Sequence, residues 1–370
     1  MIPTNKFYNH LINNKIDTFF GVPDSLLKEI CAYITINTPK EKHIITANEG
    51  NAIALAAGKY IATGNPAMVY MQNSGLGNAI NPLISLVDEA VYKIPMLLMI
   101  GWRGEPGKKD EPQHVKQGSI TRELLDTMGI KYIILSDNYE ENIREAVDYM
   151  SKESKPVALL VKKGMFSSIE LETESNDFDL TREDALEEII TKLNHDDIIV
   201  STTGKTSREI FEIREKHNQS HENDFLTVGS MGHTSSIAMG ISLYTDKNVY
   251  CIDGDGSMLM HLGALGVAAK NVKENFKYIL INNGSHESVG GQPTIGFDLD
   301  ISSILRGLGF DKVIQVDSVN QINDNFSQLK DNKLTALVIN TKQGSRSDLG
   351  RPTKTPQENK EALMNFISRK

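Results

Sequence analysis

"CIDGDGSMLMHLGALGVAAKNVKENFKYILINNGSH" occupies Cys251–His286. Its first apolar segment runs into Gly254-Asp255-Gly256, and its second into Asn282-Asn283-Gly284. The residues between suit a helix that starts near Ser257. Strand, helix and strand with apolar strands throughout form one unit of a parallel sheet covered on both faces. Ligands of open α/β sheets lie beyond the carboxyl ends of the strands, where both polar clusters fall. The two glycines allow the backbone to approach a bound group, and the helix N-terminus attracts anions. One carboxylate, one carboxamide oxygen and nearby carbonyls make a hard, all-oxygen donor set. That set suits Mg²⁺ with its coordination completed by a phosphorylated molecule. The plain alternative is two turns that carry Asp and Asn.

The same alternation extends in both directions. Residues 43–47, 68–72, 96–101, 132–136 and 157–162 read as strands in the first half, with helical stretches at 50–62, 81–91 and 139–151. Residues 198–202, 225–229, 249–254, 278–282 and 336–340 repeat the scheme. The fold class is α/β, with two doubly wound parallel-sheet domains and no middle domain. The polar, acidic stretch 167–184 separates them, giving domains at 1–170 and 183–370 with a linker at 171–182. Thr181 and Asp184 sit at capping-box spacing, where a helix begins.

Composition narrows the function. The chain has 370 residues, 24% of them charged, and a net charge of −9, which argues against a general nucleic-acid coat. Cys31 and Cys251 lie in apolar stretches and read as reduced core thiols. The N-terminus has no apolar core of the signal-peptide kind, and the run at 94–102 is too short to span a bilayer. A soluble cytoplasmic protein is expected, with no membrane or nucleic-acid partner. Several motifs mislead. Gly204-Lys205-Thr206 ends like a phosphate loop, but Ile199 stands where its first glycine belongs. Ile80 and Leu259 break two dinucleotide-type glycine patterns. His217 and His221 are spaced i, i+4 in a polar stretch that reads as solvated loop, and no Cys/His spacing suggests zinc.

Asp255 and Asn283 are 28 positions apart (255 to 283). Gly-Asp-Gly followed by Asn-Asn at that distance resembles the signature of the thiamine-diphosphate enzymes. The resemblance implies that Asp255, Asn283 and the main-chain carbonyl of Ser285 bind Mg²⁺, with Asn282 the less suited asparagine. Gly254, Gly256 and Ser257 would lie along the diphosphate. It also implies a glutamate at a strand-to-helix junction, which Glu49 supplies in "IITANEGNAIALAAGKYIATG" (44–64). A carboxylate bonded to N1′ of the aminopyrimidine favours the imino tautomer, and an apolar helix behind it keeps water from that bond. Taken alone, Glu49 is a helix-start acid of ordinary kind. By position in the family's pattern, the Gly229 carbonyl would accept from the 4′-amino group and Met231 would bend the cofactor. Core packing is the ordinary fate of Met231. Asp24 in "GVPDSLLK" would stand beside the reacting carbon, although an N-cap role suits it equally.

The resemblance is to the two-domain decarboxylase branch, whose members act on phosphonopyruvate or sulfopyruvate. It extends over essentially the whole chain, through segments such as "GWRGEPGKKDEPQHVKQG" and "NNGSHESVGGQPT". It implies a pyrimidine-binding first domain and a diphosphate-binding second domain. It also implies phosphonopyruvate as substrate, a place in phosphonate biosynthesis, and a homodimer or larger homo-oligomer with active sites at subunit interfaces. Sulfopyruvate decarboxylation and a carboligase activity are the rival readings. Pairing with the phosphonate, rather than with the carboxylate that leaves as CO₂, is the binding that favours turnover. Candidates for it are Ser25, Arg103, Lys109, His114, Lys205, His286 and Arg346, with Lys108, Lys116 and Arg351 beside them. His114 lacks the second histidine of the pyruvate decarboxylase branch.

Overall fold

The computed structural model describes residues 1–169, 176–331 and 333–369. The chain forms two compact units, Met1–Thr173 with Ser288–Gln292, and Glu174–Glu287 with Pro293–Lys370. Residues 171–175 of the expected linker lie outside the described residues. The helix that follows it is Arg182–Lys192, and the Thr181 hydroxyl accepts from Asp184 N as the spacing predicts.

The first unit holds β1 (Phe19–Gly21), β2 (His43–Ile45), β3 (Met68–Gln72), β4 (Leu97–Gly101), β5 (Lys131–Ile134) and β6 (Val157–Val161). All pair in parallel, in the order β2-β1-β3-β4-β6-β5. The chain steps from β1 outward to β2, then returns to the other side of β1 with β3. That reversal opens a crevice at the carboxyl ends of β1 and β3. Met68 and Tyr70 pack into one core layer, while Val69 and Met71 pack into the opposite one. Leu97 and Met99 divide from Leu98 and Ile100 in the same way. This period of two explains why the buried strands read as unbroken apolar runs.

The second unit repeats the plan with β7 (Ile198–Ser201), β8 (Asp224–Leu226), β9 (Val249–Gly254), β10 (Phe276–Asn282), β11 (Lys312–Val316) and β12 (Thr335–Asn340). Its order is β11-β12-β10-β9-β7-β8, again all parallel. The reversal falls between β7 and β9, so Thr202–Gly204 and Gly254–Asp255 flank the crevice. Each domain is therefore a doubly wound sheet, and no middle domain separates them.

Some local expectations need correction. The helix expected at 81–91 runs from Leu76 to Ser85. Leu86 and Val87 extend the apolar pattern but not the helix, because Asp88 closes a turn. Its carboxylate accepts from Ala90 N, and its carbonyl from Val91 N and Lys93 N. The helix after β9 starts at Asp255, two residues earlier than expected, and ends at Met260. His221 is buried rather than solvated, stacked on Phe211 with centroids 4.1 Å apart. Both cysteines are buried free thiols. Among the described residues no helix is long and apolar enough to cross a membrane.

Candidate active site

In the first unit Glu49 opens the helix Glu49–Thr63 directly after β2. Asn48 caps this helix by accepting from Asn51 N, and Gly64 ends it in the left-handed region at φ 71°. The cap holds Glu49 in the first turn, where the dipole favours a carboxylate. Its side chain is buried among Ala- and Ile-bearing turns. Asn78, on the helix after β3, donates Nδ2 to Glu49 Oε2 at 2.8 Å. A β-carbon on Gly75 would stand 2.4 Å from Glu49 Oε1, so only glycine leaves room for the carboxylate to pass.

Asp24, beyond β1, is fully buried. It does not cap a helix, because that helix begins at Lys28 with Leu27 in the cap position. Instead Asp24 accepts from Leu26 N at 2.9 Å and from Gln72 Nε2 at 2.6 Å, which bridges the ends of β1 and β3. Burial pushes its carboxyl above the ordinary range; the bonds from Gln72 and Leu26 and the charge of Arg103 only partly offset this. A buried acid of this kind can carry a proton that a solvated aspartate would lose.

Ser25 and Arg103 meet here, with Arg103 Nη1 donating to Ser25 Oγ at 2.8 Å. The guanidinium grips Asp110 through Nε at 2.9 Å and Nη2 at 2.5 Å. That fork holds the Asp110 carboxyl well below its usual range. His114 is buried with Nδ1 unpartnered, and burial together with the Arg103 charge lowers its pKa. Lys108, Lys109 and Lys116 are exposed.

In the second unit Asp255 is 3% exposed, and the Thr294 hydroxyl donates to Oδ2. Burial pushes its carboxyl up to about 6, against hydrogen bonds from Thr294 and main-chain amides that include Asn283 N. Asp253 beside it is also buried and pushed up to about 6. Both acids accept hydrogen bonds: Asp253 from Ser257, Tyr278, Thr202 and Gly254 N, and Asp255 from Thr294 and main-chain amides. Asn283 turns its Nδ2 to Glu287 Oε2 at 2.9 Å, and its Oδ1 accepts from Ser285 N at 3.1 Å. Asn282 is consumed by structure, donating to the Gly296 carbonyl at 3.0 Å and accepting from Gly284 N.

Gly256 is the floor of a cradle. A β-carbon there would lie 3.0 Å from His286 Cε1 and 3.3 Å from Met231 Cε. Burial lowers the pKa of His286 to about 4, so its ring is neutral. Gly229 takes φ 76°, and its N–H donates to Thr203 Oγ1 at 3.1 Å. Ser257 Oγ accepts from Gly232 N at 3.1 Å. Gly254 ends β9 in extended conformation. Lys205 and Arg346 are matched by carboxylates: Lys205 by Glu287 at 2.8 Å, and Arg346 by Glu183, Glu212 and Asp348.

Residues 5–130 match the N-terminal TPP binding domain of the thiamine pyrophosphate enzymes, and residues 202–339 match the C-terminal TPP binding domain. A phosphonopyruvate decarboxylase of Streptomyces viridochromogenes is 31% identical over 95% of this chain and 92% of its own length. A sulfopyruvate decarboxylase of Methanosarcina acetivorans is 29% identical over 89% of this chain and 88% of its own length. A solved benzoylformate decarboxylase of Polynucleobacter necessarius covers 92% of this chain and 99% of its own, at 12% identity and a TM-score of 0.37. The chain belongs to the thiamine pyrophosphate enzyme family. Within it, the chain is a thiamine-diphosphate-dependent decarboxylase, a carbon–carbon lyase.

The residues present fit the family's cofactor. Glu49 offers a buried carboxylate with one oxygen committed to Asn78. The buried Asp255 carboxylate suits a divalent cation, as does the carboxamide oxygen of Asn283, whose main-chain N–H meets Asp255. Among the described residues no group of three His, Cys, Asp or Glu side chains forms a metal cluster. A metal here would therefore draw on carboxamide, main-chain and diphosphate oxygens. Asn78, Gln72, Gly75, Thr294 and Glu287 are the neighbours that sequence reasoning missed. "SGLGN" held two of them, but its glycines suggested a dinucleotide turn rather than space for Glu49.

Proposed function

We propose that this chain decarboxylates 3-phosphonopyruvate to 2-phosphonoacetaldehyde and CO₂, within phosphonate biosynthesis. The observation that carries the reading is likeness at 31% identity to a phosphonopyruvate decarboxylase over 95% of the chain. Residues 1–170 act as the pyrimidine-binding domain and residues 183–370 as the diphosphate-binding domain, in a homo-oligomer whose active sites lie at subunit interfaces. The cytoplasm is its location.

When bound, thiamine diphosphate supplies an electron sink for the pair released as CO₂ departs. Asp255, Asn283 and the Ser285 carbonyl would hold Mg²⁺, and Gly254, Gly256 and Ser257 would let the diphosphate approach the main chain. The Gly229 carbonyl and the Met231 side chain orient the aminopyrimidine end. The buried Glu49 side chain would bond the aminopyrimidine N1′ away from water. Asp24 delivers the proton that completes the product, which its raised pKa allows. Ser25, Arg103, Lys109 and His114 receive the phosphonate. Lys205 is committed to Glu287 and Arg346 to three carboxylates, so both are assigned structural roles, whereas Arg103 keeps Nη1 on the Ser25 hydroxyl outside its Asp110 pair; His286 lines the cradle as a neutral ring.

The test is phosphorus NMR of phosphonopyruvate incubated with the cofactor-stripped chain. Phosphonoacetaldehyde should form only when thiamine diphosphate and Mg²⁺ are both returned. Unchanged substrate under those conditions would sink the reading.

A further inference from the structure

Glu287 lies four residues beyond Asn283, inside the stretch "NNGSHESVGGQPT" (282–294). Its carboxylate sits at the centre of a mostly buried charge cluster. Oε2 accepts from Asn283 Nδ2 at 2.9 Å and from Arg182 Nη1 at 2.8 Å, while Oε1 accepts from Lys205 at 2.8 Å. Arg182 is itself gripped by Glu209, through Nε at 2.5 Å and Nη2 at 2.7 Å. Two acids and two bases balance. Burial alone would raise the Glu287 carboxyl, but Arg182 and Lys205 bring it down to about 2.

This arrangement decides which way the Asn283 amide faces. Turned as it is, Nδ2 meets an anion and Oδ1 meets the N–H of Ser285. A flipped amide would set its oxygen against the Glu287 carboxylate and its NH₂ against an N–H. Both contacts would become repulsive inside a low-dielectric site. The carboxylate cannot turn away, because Arg182 and Lys205 hold it from two other directions. The helices Arg182–Lys192 and Lys205–Lys216 thus brace the loop that follows β10 at its first turn.

We infer that Glu287 is a positioning residue for the metal site: anchored by Arg182 and Lys205, it holds the Asn283 carboxamide with its oxygen presented to Mg²⁺. The inference rests on the reading of Asp255 and Asn283 as metal ligands. Groups that orient metal ligands commonly change metal affinity by 10–100-fold when removed.

The experiment measures Mn²⁺ affinity by electron paramagnetic resonance at saturating thiamine diphosphate, without substrate, in full-length protein. Glu287→Gln should weaken Mn²⁺ about tenfold at an unchanged far-UV spectrum, since its amide can no longer be fixed by both cations. Lys205→Met removes one brace but leaves the Asn283 contact, and should weaken Mn²⁺ less than about threefold. Should Glu287→Gln fail to fold, Glu287→Asp keeps the charge but loses reach, and the same loss is expected of it. A folded Glu287 variant with wild-type Mn²⁺ affinity overturns the inference. Asp255→Ala separates the two levels. If Asp255→Ala weakens Mn²⁺ while the Glu287 variants do not, the positioning role alone is wrong. If none of them weakens it, the metal site itself is misassigned.

Discussion

Gly75 gives up its side-chain space to Glu49: a β-carbon there would stand 2.4 Å from Glu49 Oε1 and 2.5 Å from Cγ. The Gly75 backbone is helical at φ −69°, so alanine brings no backbone strain of its own. Gly75→Ala should therefore act on Glu49 rather than on the fold. We expect turnover to fall by at least about 10²-fold, close to the loss in Glu49→Gln, with the melting temperature within a few degrees of wild type. Wild-type turnover in Gly75→Ala would mean that the carboxylate position is not critical. Wild-type turnover in Glu49→Gln, at saturating cofactor, would remove Glu49 from the chemistry.

The metal prediction concerns Asp255. Its replacement by alanine should weaken Mg²⁺ and thiamine diphosphate together, because the cation joins the protein to the diphosphate. Chelator should silence the wild type, and Mg²⁺ with cofactor should restore it. Isothermal titration of thiamine diphosphate into Asp255→Ala checks the assignment, and affinity equal to wild type would refute it.

Stability should carry a histidine signature. His43 bonds Tyr70 Oη at 2.8 Å, and burial lowers its pKa from 6.5 to about 4. The unfolded chain then takes up the proton more readily than the folded one. Stability from this group is complete above pH 6.5, declines as pH falls towards 4, and changes no further below that. At most about 3 kcal/mol is at stake. Urea unfolding at pH 7.5 and pH 4.5 should show a smaller acid loss in His43→Gln than in wild type. Equal losses would place the proton uptake elsewhere.

The sequence discloses the strands that are apolar from end to end, since two-sided burial leaves no polar interruption. It hides β1, whose Phe19 and Phe20 run at once into Gly21-Val22-Pro23-Asp24, and β11, an edge strand whose Lys312 and Gln315 dilute the pattern. Glu49, Asp255 and Asn283 are legible because their chemistry sits in local motifs. Arg182 and Glu209 are not, because their contact with each other and with Glu287 joins segments far apart in the chain. Lys205 is legible as a cation but not as the partner of Glu287, for the same reason, whereas Arg103 and Asp110 are seven residues apart and only the path of the loop between them brings them together.

The proposed function requires a preference for the phosphonate. Phosphonopyruvate and sulfopyruvate share a 2-oxo acid and differ by one ionisable proton at the far end. The relatives that act on each are similar to this chain at 31% and 29% identity. CO₂ release from phosphonopyruvate, sulfopyruvate and pyruvate, with thiamine diphosphate and Mg²⁺ saturating, gives three values of kcat/KM. We predict the phosphonopyruvate value to exceed the other two by at least about tenfold, which is a difference of about 1.4 kcal/mol in transition-state binding. A sulfopyruvate or pyruvate value equal to or above it would contradict the account.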